Sequence, residues 1–152
     1  MNKQPLSCIV AESGRLLYAR KENPYSGLKI RSSSDTANFV RPNFPDVDFR
    51  ESFAVLALSR SNTVLGYSVL FTGGVSGVVA DVKNVMQYCL GLNASCFILV
   101  HNHPSGNLYP SEADKQLTQK MKEAGQVMDL SLLDHVILTN DSHYSFIDEG
   151  IL

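Results

Sequence analysis

Residues 96–114 read Cys-Phe-Ile-Leu-Val-His-Asn-His-Pro-Ser-Gly-Asn-Leu-Tyr-Pro-Ser-Glu-Ala-Asp. The run Cys96 to Val100 is apolar without alternation, the pattern of a strand covered on both faces. His101 and His103 leave its end two residues apart, and residues so spaced on an extended chain project to the same side, so both imidazoles can face one point. Pro110-Ser111 then reads as a helix start, with Asp114 three residues on. Two His and one Asp gathered between a strand end and a helix start offer three donors to one cation. For zinc, that leaves a fourth tetrahedral position for water, the arrangement of catalytic rather than structural sites. The same Ser111–Asp114 spacing suits plain capping, because an acid is favourable at the positive helix end with or without metal. The two histidines at the neighbouring strand end favour the ligand reading. A zinc deaminase is excluded, since it would need a Pro-Cys-x-x-Cys element and no cysteine pair has that spacing. The contiguous His-Asn-His letters also differ from the nuclease motif of that name, which is spread over a longer segment.

Working outward, Phe53 to Leu58 is a second run apolar on both alternating faces, and Arg60-Ser61-Asn62-Thr63 turns it into Val64 to Phe71. Gly73, Gly74 and Gly77 mark a loop, and without a following P-loop lysine they read as tight backbone rather than a phosphate cradle. Val82, Val85, Met86, Cys89 and Leu90 recur at helical spacing up to Gly91. The helix opened by Ser111 carries Leu117, Met121 and Ala124 and is expected to stop at Gly125. Strands are expected at Leu132 to Thr139 and Tyr144 to Ile147, separated by the turn Asn140-Asp141-Ser142. Upstream, Ser32-Ser33-Ser34-Asp35 caps a short helix through Ala37, Phe39 and Val40 that Pro42 stops. Leu6 to Val10 and Arg15 to Ala19 form a candidate hairpin. The order predicts one mixed sheet with helices on its faces, and functional groups in such sheets collect beyond the carboxyl ends of strands, where His101 and His103 emerge.

At 152 residues the chain suits one domain with a real core. Its formal net charge of −2 and pI near 6.0 provide no bulk attraction to nucleic acid or anionic membranes. Arg15, Arg20, Lys21, Lys29 and Arg31 form a modest basic stretch, read first as solvated side chains. The opening residues, broken by Glu12, Ser13 and Gly14, match neither a signal-peptide core nor a membrane span. Cys8, Cys89 and Cys96 are odd in number and form no Cys-x-x-Cys pair, the usage of reduced thiols in a cytoplasmic protein.

A metal-activated water needs a proton acceptor, and its leaving group a donor; one nearby carboxylate can serve both in turn. Spacing leaves Glu12, Glu51, Glu112 and Glu123 open, with Glu112 disfavoured because neighbours on a helix diverge. Glu51 heads a strand that reads as central. His135, among Leu132, Leu133, Val136 and Ile137, reads as a hydrogen-bonded core histidine paired with Asp134, and His143 as a turn residue.

His101-Asn-His-Pro-Ser-Gly106, Pro110-Ser111 and Asp114, preceded by Glu51-Ser-Phe-Ala-Val-Leu at a strand opening, resemble the RadC-like branch of the JAB (JAMM, or MPN-plus) metalloprotease superfamily. The resemblance spans about residues 32–152 and includes Gly73-Gly-Val-Ser-Gly77 and Leu133-Asp-His135. It implies an α/β fold, three-layer α-β-α with a mixed β-sheet, of JAB/MPN (cytidine-deaminase-like) architecture over residues 32–152, with residues 1–31 as an N-terminal extension. It further implies that His101, His103 and Asp114 bind one zinc ion, that Glu51 is the general acid/base, and that Ser111 supports the oxyanion of the tetrahedral intermediate. The expected activity is that of a bacterial, cytoplasmic metallopeptidase or isopeptidase acting on an amide bond of a protein or peptide. Longer family members carry an N-terminal helical domain; this chain is expected to lack it, so a DNA-binding role lodged there does not carry over. The alternatives are a non-enzymatic or phosphodiester-acting accessory factor in DNA repair or recombination.

Overall fold

The two runs without polar alternation lie side by side in the middle of a five-stranded sheet. The computed structural model describes residues 5–12, 15–74 and 79–152, with backbone alone for 5–12 and 15–21. An antiparallel hairpin, β1 (Pro5–Glu12) and β2 (Arg15–Glu22), forms a two-stranded sheet of its own. The main sheet has the order β4-β3-β5-β6-β7, where β3 is Ser52–Leu58, β4 Val64–Thr72, β5 Cys96–Asn102, β6 Ser131–Leu138 and β7 His143–Ser145. β3 is antiparallel to β4 and β5, β5 parallel to β6, and β6 antiparallel to β7. Every residue of β3 and β5 is buried, as expected of strands with neighbours on both edges and helices on both faces.

Alternation along these strands separates two cores. Ala54, Leu56, Leu58, Ile98 and Val100 face α1 (Ser33–Val40), which contributes Ala37 and Val40. Phe53, Val55, Ala57, Phe97 and Leu99 face α2 (Val82–Gly91) and α3 (Glu112–Val127), which contribute Val85, Met86, Cys89 and Met121. The result is the expected three-layer α-β-α sandwich with a mixed sheet. β5, α3 and β6 make a parallel crossover, which places the carboxyl end of β5 beside the amino end of α3. None of the helices among the described residues is long and apolar enough to cross a membrane.

Ser32 caps α1 by accepting from the Asp35 N–H at 3.1 Å, and a single 3-10 turn at Arg41–Asn43, carrying Pro42, ends that helix. Two expected boundaries move. α3 continues past Gly125 to Val127, and the left-handed backbone that ends it sits at Asp129 (φ 55°). Gly125 is buried in the helix because a Cβ there would lie 2.5 Å from the Leu130 carbonyl oxygen and 2.9 Å from Phe97 Cε1. Its role is close approach of helix to sheet rather than termination. The last strand spans His143–Ser145 instead of Tyr144 to Ile147, so His143 opens a strand and does not sit in the turn. The Asp134 carboxylate accepts from the Ile147 N–H at 3.1 Å and from the Ser145 hydroxyl at 2.7 Å, which bends the chain off the sheet. Cys89 and Cys96 are free and buried, as expected; the side chain of Cys8, and Gly77, lie outside the described residues.

Replacing Gly125 by Ala weighs about 1 kcal/mol of gained helix propensity against an overpacking cost of about 1–3 kcal/mol. Because the clash is with backbone and a buried ring, overpacking dominates. Urea unfolding of G125A is expected to show a net loss of up to about 2 kcal/mol; a gain in stability would show that the approach is loose.

Candidate metal centre

His101 is the last inward-facing residue of β5 on the α2/α3 side. It lies opposite Phe53 in the antiparallel register and stacks on that ring, with centroids 6.0 Å apart. It is 2 % exposed, in line with Phe97 and Leu99. His103 follows one residue beyond the strand, where its N–H donates to the Leu138 carbonyl at 2.9 Å and extends the β5–β6 pairing. The intervening Asn102 points the other way and is fully buried. It accepts from the Ser52 N–H at 2.7 Å and donates to the Val47 and Arg50 carbonyls, each at 2.7 Å, fixing the start of β3 against the end of β5.

Asp114 reaches this point from the first turn of α3. Ser111 is the helix cap, and the two form a reciprocal capping box: Ser111 Oγ accepts from the Asp114 N–H at 3.1 Å, while the Ser111 N–H donates to Asp114 Oδ2 at 2.7 Å. The Ser111 hydroxyl donates to the same Oδ2 at 2.6 Å. With Oδ2 held, Oδ1 is turned to His101 Nε2 at 3.3 Å. The capping and ligand readings of this carboxylate therefore describe one geometry, with one oxygen for each.

The two imidazoles meet through His101 Nε2 and His103 Nε2, 2.9 Å apart, and His103 Nε2 is 3.7 Å from Asp114 Oδ2. One donor atom from each of His101, His103 and Asp114 lies within 4.8 Å of the others, so this group could hold a metal ion. Tetrahedral bonds of about 2.0–2.1 Å put donors roughly 3.3–3.4 Å apart, close to the 3.3 Å from His101 Nε2 to Asp114 Oδ1 and the 2.9 Å between the two Nε2 atoms. The tautomer fits as well. His103 Nδ1 faces the Asn107 carbonyl at 2.5 Å, and a carbonyl only accepts, so Nδ1 carries the proton and the neutral ring offers its Nε2 lone pair.

Residues 30–151 match the family model described as the RadC-like JAB domain. The chain belongs to the RadC-like JAB domain family. It is 46 % identical over 123 residues to a UPF0758 protein of Flavobacterium johnsoniae, covering 81 % of this chain and 53 % of that protein. Two Escherichia coli K12 relatives, the UPF0758 proteins YfjY and YkfG, are 39 % and 40 % identical, over 84 % and 83 % of this chain and 79 % of each relative. The chain spans little more than half of the Flavobacterium relative and 64 % of the UPF0758 protein CT0611 of Chlorobaculum tepidum.

In this RadC-like domain Glu51 lies immediately before β3, its N–H donating to the Gly74 carbonyl at 3.3 Å and its carbonyl accepting from Gly73 at 2.8 Å. Glu51 directly precedes Ser52, whose N–H donates to the Asn102 side chain, and the Glu51 charge helps to raise the His103 pKa. Glu112 and Glu123 point elsewhere: Glu112 pairs with Lys115 at 2.6 Å, and Glu123 accepts from Gln119 at 2.7 Å. The Glu12 side chain lies outside the described residues.

Two further residues stand behind the histidines: Thr118, which the sequence does not single out, and His135, expected as a core histidine paired with Asp134. His135 is fully buried, and its imidazole partners His101 Nδ1 (Nε2, 2.8 Å) and the Thr118 hydroxyl (Nδ1, 2.6 Å) rather than the Asp134 side chain, which accepts from the His135 backbone N–H at 2.8 Å. Thr118 lies one helical turn after Asp114 and donates to its carbonyl at 2.6 Å. That i, i+4 spacing is the signal by which sequence could have found it.

Burial opposes charge on His103, but the Asp114 hydrogen bond outweighs it and raises the His103 pKa. Burial also opposes charge on Asp114, yet the hydrogen bonds from both imidazoles and Ser111 hold it well below the usual carboxylate range. A protonated His103 therefore stabilises the metal-free fold fully below about pH 6.5, and this contribution fades as pH rises through its raised pKa. Metal requires the neutral ring, so affinity follows the opposite course. In thermal unfolding with and without a divalent metal, the metal-induced rise in Tm is expected to shrink as pH falls from about 8 to about 6; a constant rise across that window would contradict the assignment.

Proposed function

We propose that this chain is a zinc-dependent hydrolase of the JAMM type, cleaving an amide bond in a protein or peptide. The observation that carries the reading is the convergence of His101 Nε2, His103 Nε2 and the Asp114 carboxylate at a sheet end, near enough to Glu51 for its charge to act on His103. Three protein donors of this N₂O type suit zinc with one position open to solvent. Zinc held there supplies a nucleophile at neutral pH, because it lowers the pKa of its water from 15.7 to about 7.

The chain's own residues supply the rest. Glu51 takes the proton of the attacking water and returns it to the leaving nitrogen, two roles that one carboxylate serves in sequence. Ser111 Oγ brings a hydroxyl proton to the rim of the site. Since the Ser111 N–H also holds Asp114 Oδ2, that hydroxyl can turn to a substrate oxygen without releasing the carboxylate. Phe53, itself edge-on to Phe71, stacks on His101 and covers that face of the ring.

The purified protein is expected to hold about one zinc per chain, which His103→Ala removes and Glu51→Gln retains. In a peptide-library cleavage screen, Glu51→Gln should lower turnover by about 10²–10⁴-fold. Full zinc occupancy in the His103 variant would refute the ligand set; undiminished cleavage by E51Q would refute the base.

A further inference from the structure

Thr118 and His135 offer no donor atom to the proposed metal position, yet they link its ligands His101 and Asp114 through an open series of hydrogen bonds. The series runs from His101 Nδ1 to His135 Nε2 (2.8 Å), from His135 Nδ1 to Thr118 Oγ1 (2.6 Å), and from Thr118 Oγ1 to the Asp114 carbonyl (2.6 Å). Asp114 Oδ1 and His101 Nε2 then face each other 3.3 Å apart at the proposed metal position.

The direction of every bond follows from its last member. A backbone carbonyl can only accept, so the Thr118 hydroxyl, which has one proton, must donate to Asp114 O. The oxygen of Thr118 is then the acceptor for His135 Nδ1, which must carry hydrogen. A neutral imidazole has one N–H, so His135 Nε2 presents a lone pair. His101 Nδ1 must in turn be the protonated nitrogen, and the His101 lone pair is left on Nε2, the atom facing His103 and Asp114. Both His101 and His135 are at most 2 % exposed, so no solvent molecule competes to reverse the order.

We propose that Thr118, acting through His135, is the positioning residue that fixes His101 in the Nδ1–H tautomer required for metal ligation through Nε2. This rests on the metal-centre reading given above. Partners of this kind orient a ligating imidazole and are worth about 10–100-fold in metal affinity. Without the hydroxyl, His135 loses the acceptor for its Nδ1–H and can take the opposite tautomer, donating from Nε2 to His101 Nδ1 and placing the His101 proton where the metal must bind.

The experiment is zinc affinity, by competition with a chelator, for the parent, Thr118→Val and Thr118→Ser. The expected result is about 10–100-fold weaker binding in T118V and near-parental binding in T118S, which keeps the hydroxyl. Long-range ¹H–¹⁵N NMR of the parent should show His135 protonated at Nδ1, a measurement that stands even if T118V does not fold. Equal zinc affinity in folded T118V, or a His135 proton on Nε2 in the parent, overturns the inference while leaving the metal centre intact. A parent that binds no zinc overturns the metal-centre reading and this inference with it.

Discussion

The Asp114 carboxylate is the joint on which the site depends. Its Oδ2 is held by the backbone and side chain of Ser111, and its Oδ1 is offered to His101. The first hold is a helix-capping interaction worth about 1 kcal/mol on its own, and it fixes the carboxylate relative to the axis of α3. The crossover from β5 through α3 to β6 fixes that axis relative to the strand carrying the imidazoles. A local capping rule and a global chirality rule thereby place one oxygen among two rings. Changing Asp114 removes both functions, so its loss cannot be read as a ligand effect alone; His103 is the cleaner position.

The same period-two alternation that sorts the apolar side chains also sorts the polar ones. Phe97, Leu99 and His101 face α2 and α3, while Ile98, Val100 and Asn102 face α1. A polar group at the end of a strand buried on both sides must bring its own partners, because an unsatisfied one costs about 1–3 kcal/mol. Asn102 finds three backbone partners in the segment that precedes β3. His101 finds His135, which finds Thr118. Both solutions tie β5 to a separate element, and the first also sets the start of β3, where Glu51 emerges.

Much of this was legible because it rests on short-range rules. The two-sided burial of β3 and β5, the Ser111 cap and the same-side projection of His101 and His103 are all consequences of local periodicity. What sequence hid was determined by contacts between distant segments. Gly125 looked like a helix stop because glycine commonly is one, and only the approach of Phe97 and Leu130 shows why it lies inside the helix. His135 looked like a core histidine and is one, but its partner depended on the β5–β6 register, which sets Leu99 against His135 and His101 against Ile137. Glu51 is set apart from the other carboxylates only by the family resemblance, since no local rule within residues 48–54 points to His103.

The electrostatics of the centre explain why such a constellation favours a cation. His103 Nδ1–H is committed to the Asn107 carbonyl, and in the tautomer proposed above His101 Nδ1–H is committed to His135. The two neutral rings then face each other through Nε2 lone pairs 2.9 Å apart, with a carboxylate oxygen 3.3 Å away. Three electron-rich atoms held this close by independent elements repel unless something positive lies among them. A proton can serve, which is the origin of the raised His103 pKa, but one proton satisfies only one pair. A divalent ion held there would satisfy all three donors at once and displace that proton. The cap, the register and the hydrogen bonds through Thr118 gather the donors, so that binding of such an ion would relieve a repulsion that folding has already imposed.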